Sequence, residues 1–124
     1  MKQLVLCLAM VLAFCVSDVL AQKNNLIGTT WVLKYTTGKA NSTDYEEYAR
    51  ITFSKGGKAE VKFGNSKETA KWTLKGNNLV ISNSADGALV HYVEVKIKGT
   101  TATGTAELGM TTTVPYWVRL IKQK

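Results

Sequence analysis

The sequence predicts an all-β fold in which eight antiparallel strands close into an up-and-down barrel. Three observations predict it. From residue 26 onward, apolar and polar side chains alternate with a period of two. The alternating runs are short and are punctuated by turn doublets such as Gly56-Gly57, Gly64-Asn65 and Gly76-Asn77. Nothing in that region has the length and period of a helix. Alternation bounded by turn residues describes antiparallel strands with one face buried and the other wet. Consecutive hairpins of this kind close most simply into a barrel, with a two-sheet sandwich as the alternative.

The elements follow in order. Residues 26–36 (LIGTTWVLKYT) are rich in the strand formers Thr, Trp, Val and Tyr. The connection over residues 37–48 is the longest. Within it, residues 42–49 (STDYEEYA) open with Ser/Thr caps and early acids, which predicts a short helical turn. Residues 48–54 form the second strand, and Lys58–Phe63 the third, with Ala59, Val61 and Phe63 on one face. Residues 67–74 set Ala70, Trp72 and Leu74 against Thr69, Lys71 and Thr73. Residues 79–83 form the fifth strand. In the sixth, residues 88–98, the alternation places Leu89, His91, Val93, Val95 and Ile97 together and facing inward. Residues 101–108 and 113–122 complete the set. Pro115 marks a bulge or an edge, so the inward residue of the last strand is either Tyr116 or Trp117.

The first 21 residues are of another kind. Lys2 gives a short basic start, residues 4–16 are an unbroken apolar run, and Ala21 stands before a cleavage point with Val19 two positions earlier. This is the pattern of a signal peptide. A spanning helix needs about 20 apolar residues, and Asp18 interrupts the run too early. Phe14 is too bulky for lipoprotein processing at Cys15. The expected organisation is a signal peptide over residues 1–21 and one domain over residues 22–124, secreted or periplasmic. Cys7 and Cys15 both fall in the signal peptide, so the expected mature domain has no thiol.

Residue usage narrows the chemistry. No motif supplies a partner for His91, the single histidine, and no serine lies in a Gly-x-Ser-x-Gly elbow. Asp44, Glu46 and Glu47 cluster in the long loop without the spacing of a calcium loop. No enzyme activity, metal or cofactor is expected. The chain is basic, with 16 Lys and Arg against 9 acids and a net charge of +7. All the bases except Arg50 and Arg119 are Lys, the point-charge residue, and nucleic acid is therefore not the expected partner. Outward lysines serve solubility and guard strand edges; an anionic surface or glycan is the partner such a face would take.

Several motifs, in order, carry a family resemblance. Leu26-Ile27-Gly28-Thr29-Thr30-Trp31 resembles the Gly-x-Trp opening of lipocalins, with one extra residue between Gly and Trp. Ile51-Thr52-Phe53 followed by Gly56-Gly57 resembles an Ile-Thr-Phe-x-x-x-Gly hairpin, and Trp72-Thr73-Leu74-Lys75-Gly76-Asn77-Asn78-Leu79 a Trp-x-Leu-x-Gly-Asn-x-Leu segment. Gly104-Thr105-Ala106 and Trp117-Val118-Arg119 resemble the two closing strands, the latter one residue short. Together they are similar to the small bacterial lipocalin-like domains, barrels of the calycin type. On closure, Trp31 and Arg119 are expected to be neighbours in a cation–π contact. The resemblance implies that this pair, with Gly28, seals one end.

The expected function is binding of a small, largely apolar molecule in the barrel interior or at its mouth. Phe53, Phe63, Trp72, His91 and Val93 are the candidate ligand-binding residues. The alternative is a filled, non-enzymatic barrel that acts as a structural or protein-interaction module, because an eight-stranded interior can be filled by side chains alone.

Overall fold

The structure is a computed structural model that describes residues 25–109 and 115–124. The expected signal peptide, with Cys7 and Cys15, lies outside the described residues, as does the start expected for the last strand. Eight strands are present: β1 Thr30–Thr36, β2 Glu46–Ser54, β3 Lys58–Phe63, β4 Ser66–Lys75, β5 Asn78–Ser82, β6 Val90–Lys98, β7 Thr101–Leu108 and β8 Tyr116–Lys122. Each pairs antiparallel with the next, and β8 pairs with β1, so the sheet is a closed barrel. Closure settles the choice against a sandwich.

Alternation dictates what lies inside. Leu33, Ile51, Phe53, Val61, Leu79, Ile81, Val93, Val95, Val118 and Leu120 are each under 2% exposed and belong to one core cluster. Trp72 packs in this core edge-on to Phe53, with ring centroids 5.5 Å apart. Its indole N–H donates to the Ser54 carbonyl at 3.1 Å, so the ring is buried without leaving a polar atom unpaired. Small residues make room for these rings: Ala59, Ala70, Ala102 and Ala106 are buried on the same inner face. Gly104 goes further. A Cβ there would strike the Glu94 carbonyl and stand 2.8 Å from Val95 Cα, so β6 and β7 approach too closely for any side chain.

The barrel has two unlike ends. At the base lie the tight turns after β2, β4 and β6, and the entry turn at residues 25–28. Gly28 there has φ +85°, a conformation open to glycine at little cost, and its N–H donates to the Phe53 carbonyl at 2.7 Å. This turn carries Leu26 into the core beside Trp31, and both are at most 4% exposed. The Trp31 indole N–H donates to Thr29 Oγ1 at 2.9 Å, and the Thr29 hydroxyl donates in turn to the Leu26 carbonyl. At the opposite end, the mouth, lie the longer connections, residues 37–45 and 83–89.

Three local expectations are corrected. Residues 42–49 form no helical turn; β2 begins at Glu46, and the preceding loop is held by the Ser42 hydroxyl, which accepts from the Asp44 N–H at 3.1 Å. The acids of this stretch serve a strand start and a wet loop, so their early placement carries no capping role. His91 does not face inward. The register with β7 shifts between Val90 and Tyr92, which makes His91 the extra residue of a bulge. Val90 and Val93 take the inner positions, and His91 is half-buried on the outer wall. Finally, Arg119 does not meet Trp31. The β1–β8 register sets Trp31 opposite Lys122 and Arg119 opposite Lys34. Val118 and Leu120 point inward, so Arg119 between them points outward, on the other face of the wall from Trp31. Its guanidinium lies over the Tyr45 ring, 4.2 Å from the centroid. The same parity decides the last strand: Tyr116 is buried and Trp117 is 44% exposed.

Candidate functional site

The five candidate ligand-binding residues do not form one site. Phe53, Trp72 and Val93 are packed into the core cluster, at 6% exposure or less. His91 lines a shallow outer cleft with Thr69, Ser82, Asn83 and Ser84. Phe63 alone is reachable at the mouth, at 41% exposed. Gly28 and Trp31 both lie at the base, and Arg119 does not meet Trp31.

A cleft of about 390 Å³ opens at the base, and Leu26, Trp31, Leu74, Ile97, Asn77 and Lys122 contribute to its lining. Leu26, Trp31 and Leu74 are themselves at most 4% exposed. This cleft therefore offers a ligand a lining of mixed polar and apolar character.

The mouth is built differently, and a bulge builds it. Leu33 on β1 faces Ala49, but the next residue, Lys34, faces Glu47, so Tyr48 is the extra residue on β2. The bulge turns both Tyr48 and Ala49 inward, and the Tyr48 ring ends up under the rim. Tyr35, from the last turn of the β1 pleat, meets it edge-on at 5.9 Å and meets Tyr116 of β8 edge-on at 5.5 Å. Phe63, the last residue of β3, lies against Tyr48 at 5.0 Å. Four aromatic rings from four strands thus form a raft over the core, with Phe63 as its open edge. Sequence reasoning missed Tyr35 and Tyr48 and left Tyr116 as one of two alternatives for the last strand. The signal available was that Tyr35, Tyr48 and Tyr116 all stand at strand ends that hairpin order sends to the same rim.

Hydrogen bonds fix the raft. The Tyr48 hydroxyl donates to the Leu89 carbonyl at 2.6 Å. Glu68, inward-facing at the start of β4, accepts from the backbone N–H groups of Leu89 and Val90 at 2.6 and 3.1 Å, and from Asn83 Nδ2 at 3.3 Å. The connection between β5 and β6 is thereby tied down over the mouth. Burial pushes the Tyr48 hydroxyl above its ordinary pKa, helped by the nearby Glu68 charge. Tyr35 is shifted the same way, first by desolvation and then by its hydrogen bond to Glu46. Both phenols are neutral donors at physiological pH, suited to apolar contact with a polar tip. Among the described residues no group of three His, Cys, Asp or Glu side chains converges as a metal site.

A family model described as a lipocalin-like domain matches residues 26–103, from the entry turn into β7. No curated protein and no solved structure gives a match.

Proposed function

Because this chain belongs to the lipocalin-like domain family, we propose that it is an exported, non-enzymatic binding protein that takes a small, largely apolar molecule on the aromatic raft at its mouth. The observation that carries this reading is the contrast between a barrel interior filled by buried side chains and an open Phe63 that lies tilted against buried Tyr48. A ligand adds to the raft; it does not enter the barrel. Contact with Phe63 and the neighbouring rings supplies the affinity through removal of apolar surface from water. The hydroxyls of Tyr48 and Tyr35 already donate to Leu89 and Glu46 and so can only accept from a ligand's polar end. Export is supported by the basic start, apolar run and small residue that precede residue 22.

The test is titration with a neutral, environment-sensitive probe such as N-phenylnaphthylamine. The protein should bind it saturably. Phe63→Ala should weaken binding by about tenfold or more, since burying a Phe side chain contributes about 1.5–3 kcal/mol. His91→Ala, on the outer wall, should leave binding unchanged. Absence of binding, or equal binding by Phe63→Ala, would overturn this reading. The filled interior would then favour the second one, a barrel that meets another protein through its outer face or loops.

A further inference from the structure

We propose that the outer wall formed by β2, β3 and β4 is a docking surface for an anionic lipid bilayer. The proposal stands apart from the ligand reading, because it rests on where the lysines are. The register places like charges directly opposite one another on this wall. Lys58 faces Lys71 in one row, and Arg50, Lys62 and Lys67 stand side by side across three strands in another. Like charges directly opposite in a sheet are destabilising. Glu60 is the single outward acid of β3 and β4, 3.8 Å from Lys67. The remaining acid, Glu68, points inward and is committed to the Leu89 and Val90 backbone.

Neither ordinary use of surface lysine accounts for the rows. Edge protection is unnecessary, because β1 pairs with β8 and the barrel has no edge. Solubility is served by interspersed charges of both signs, and the opposite wall follows that rule: Lys96 faces Asn78 and Thr103, and Glu94 faces Val80 and Thr105. Another like-charge pair, Lys34 opposite Arg119, is relieved on both sides. Lys34 faces Glu47 across β1–β2, and Arg119 lies over Tyr45. On the β2–β4 wall, Glu47 meets Arg50 at 3.9 Å and Glu60 meets Lys67 at 3.8 Å, while Lys58, Lys62 and Lys71 have no described ion pair.

The chemistry of the wall selects the occupant. Its bases are mostly flexible ammonium groups without the fixed fork that reads a particular phosphate or carboxylate. Between and beside the rows stand Thr52, Ser54, Thr69 and Ser82, which offer no aromatic platform for sugar rings or bases. The rows lie four residues apart along the strands, about 13 Å, while neighbours within a row are about 5 Å apart. A linear polyanion lying across the strands engages one such row; a plane of headgroups engages both. Phe63 stands at the mouth end of the same hairpin, one residue beyond Lys62 and 41% exposed. A basic face with an apolar tip at its border is the arrangement that holds a protein on a charged bilayer.

The test is co-sedimentation with vesicles of equal parts phosphatidylcholine and phosphatidylglycerol, compared with phosphatidylcholine alone. The protein should bind the mixed vesicles at low salt, release them as ionic strength rises, and ignore the neutral ones. The variant K58Q/K62Q/K67Q/K71Q should bind at least about tenfold more weakly. It should melt no lower than the parent, since the substitutions remove repulsion, and this shows that it is folded. K96Q/K98Q, on the opposite wall, should bind as the parent does. Failure of the parent to bind, or undiminished binding by the four-lysine variant, would overturn the proposal. Tighter binding of soluble heparin than of the vesicles would also overturn it, in favour of an acidic glycan.

Discussion

Trp31 and Arg119 illustrate how far one residue's role depends on the parity of its strand. Trp31 is 3% exposed, packs with Leu26 at the base, and has its indole N–H satisfied by Thr29. Removing the ring leaves a void that the entry turn cannot fill, together with an unpaired Thr29 acceptor. Trp31→Ala should therefore lose about 3–5 kcal/mol in denaturant unfolding, the range for large-to-small core changes. Arg119 lies outside, over Tyr45. Arg119→Ala gives up a half-exposed cation–π contact and should lose only about 0.5–1 kcal/mol. The double variant should lose the sum of the two, because the side chains share no partner. Equal losses from the two single changes, or strong coupling between them, would place them in contact and contradict the β1–β8 register.

At the scale of the element, alternation made the strands legible and bulges hid the site. Ala59, Val61, Trp72 and Leu74 declare their inner face because nothing interrupts the period between turn and turn. In β2 and β6 one extra residue enters, at Tyr48 and at His91, and every assignment on the far side changes face. Neither segment contains the glycine that would have flagged an insertion, so His91 read as inward and Tyr48 as a strand beginning. The tyrosine raft was hidden for a related reason, since its members are far apart in sequence and meet only when the barrel closes. The bulge at Tyr48 has a consequence that alkali should reveal. The folded state holds the Tyr48 phenol above its ordinary value of 10, chiefly by burial. Below that value both states keep the proton and this group adds no pH dependence. As pH rises above it, the unfolded chain releases its proton first, so stability falls through the window up to the folded pKa. Tyr48→Phe loses the hydrogen bond to Leu89, about 0.5–1.5 kcal/mol at neutral pH. Its stability should decline less steeply above pH 10 than the parent's. Parallel alkaline unfolding curves, followed by circular dichroism, would show that Tyr48 is not the titrating group.

For the whole molecule, closure and charge act in opposite directions. The family match stops at residue 103, yet the barrel needs the rest of β7 and all of β8 to join β6 back to β1. Joining them removes every edge and seals the core. It also gathers most of the charged residues of a chain of net charge +7 onto one small closed surface, with the lysine rows side by side on one wall. The described ion pairs that oppose this repulsion, Arg50–Glu47 at 3.9 Å and Lys67–Glu60 at 3.8 Å, are more than half exposed and contribute little. Salt should therefore stabilise the fold. Raising sodium chloride from about 0.01 to 0.15 M shortens the screening length from about 30 to 8 Å, which weakens repulsion between the rows more than it weakens two loose ion pairs. The melting temperature should rise over that interval, and the rise should be smaller in K58Q/K62Q/K67Q/K71Q. Chloride is the right salt for this measurement, because sulfate would add its own strengthening of apolar burial. A melting temperature that falls with sodium chloride would mean that attraction dominates the surface and that the rows carry no strain.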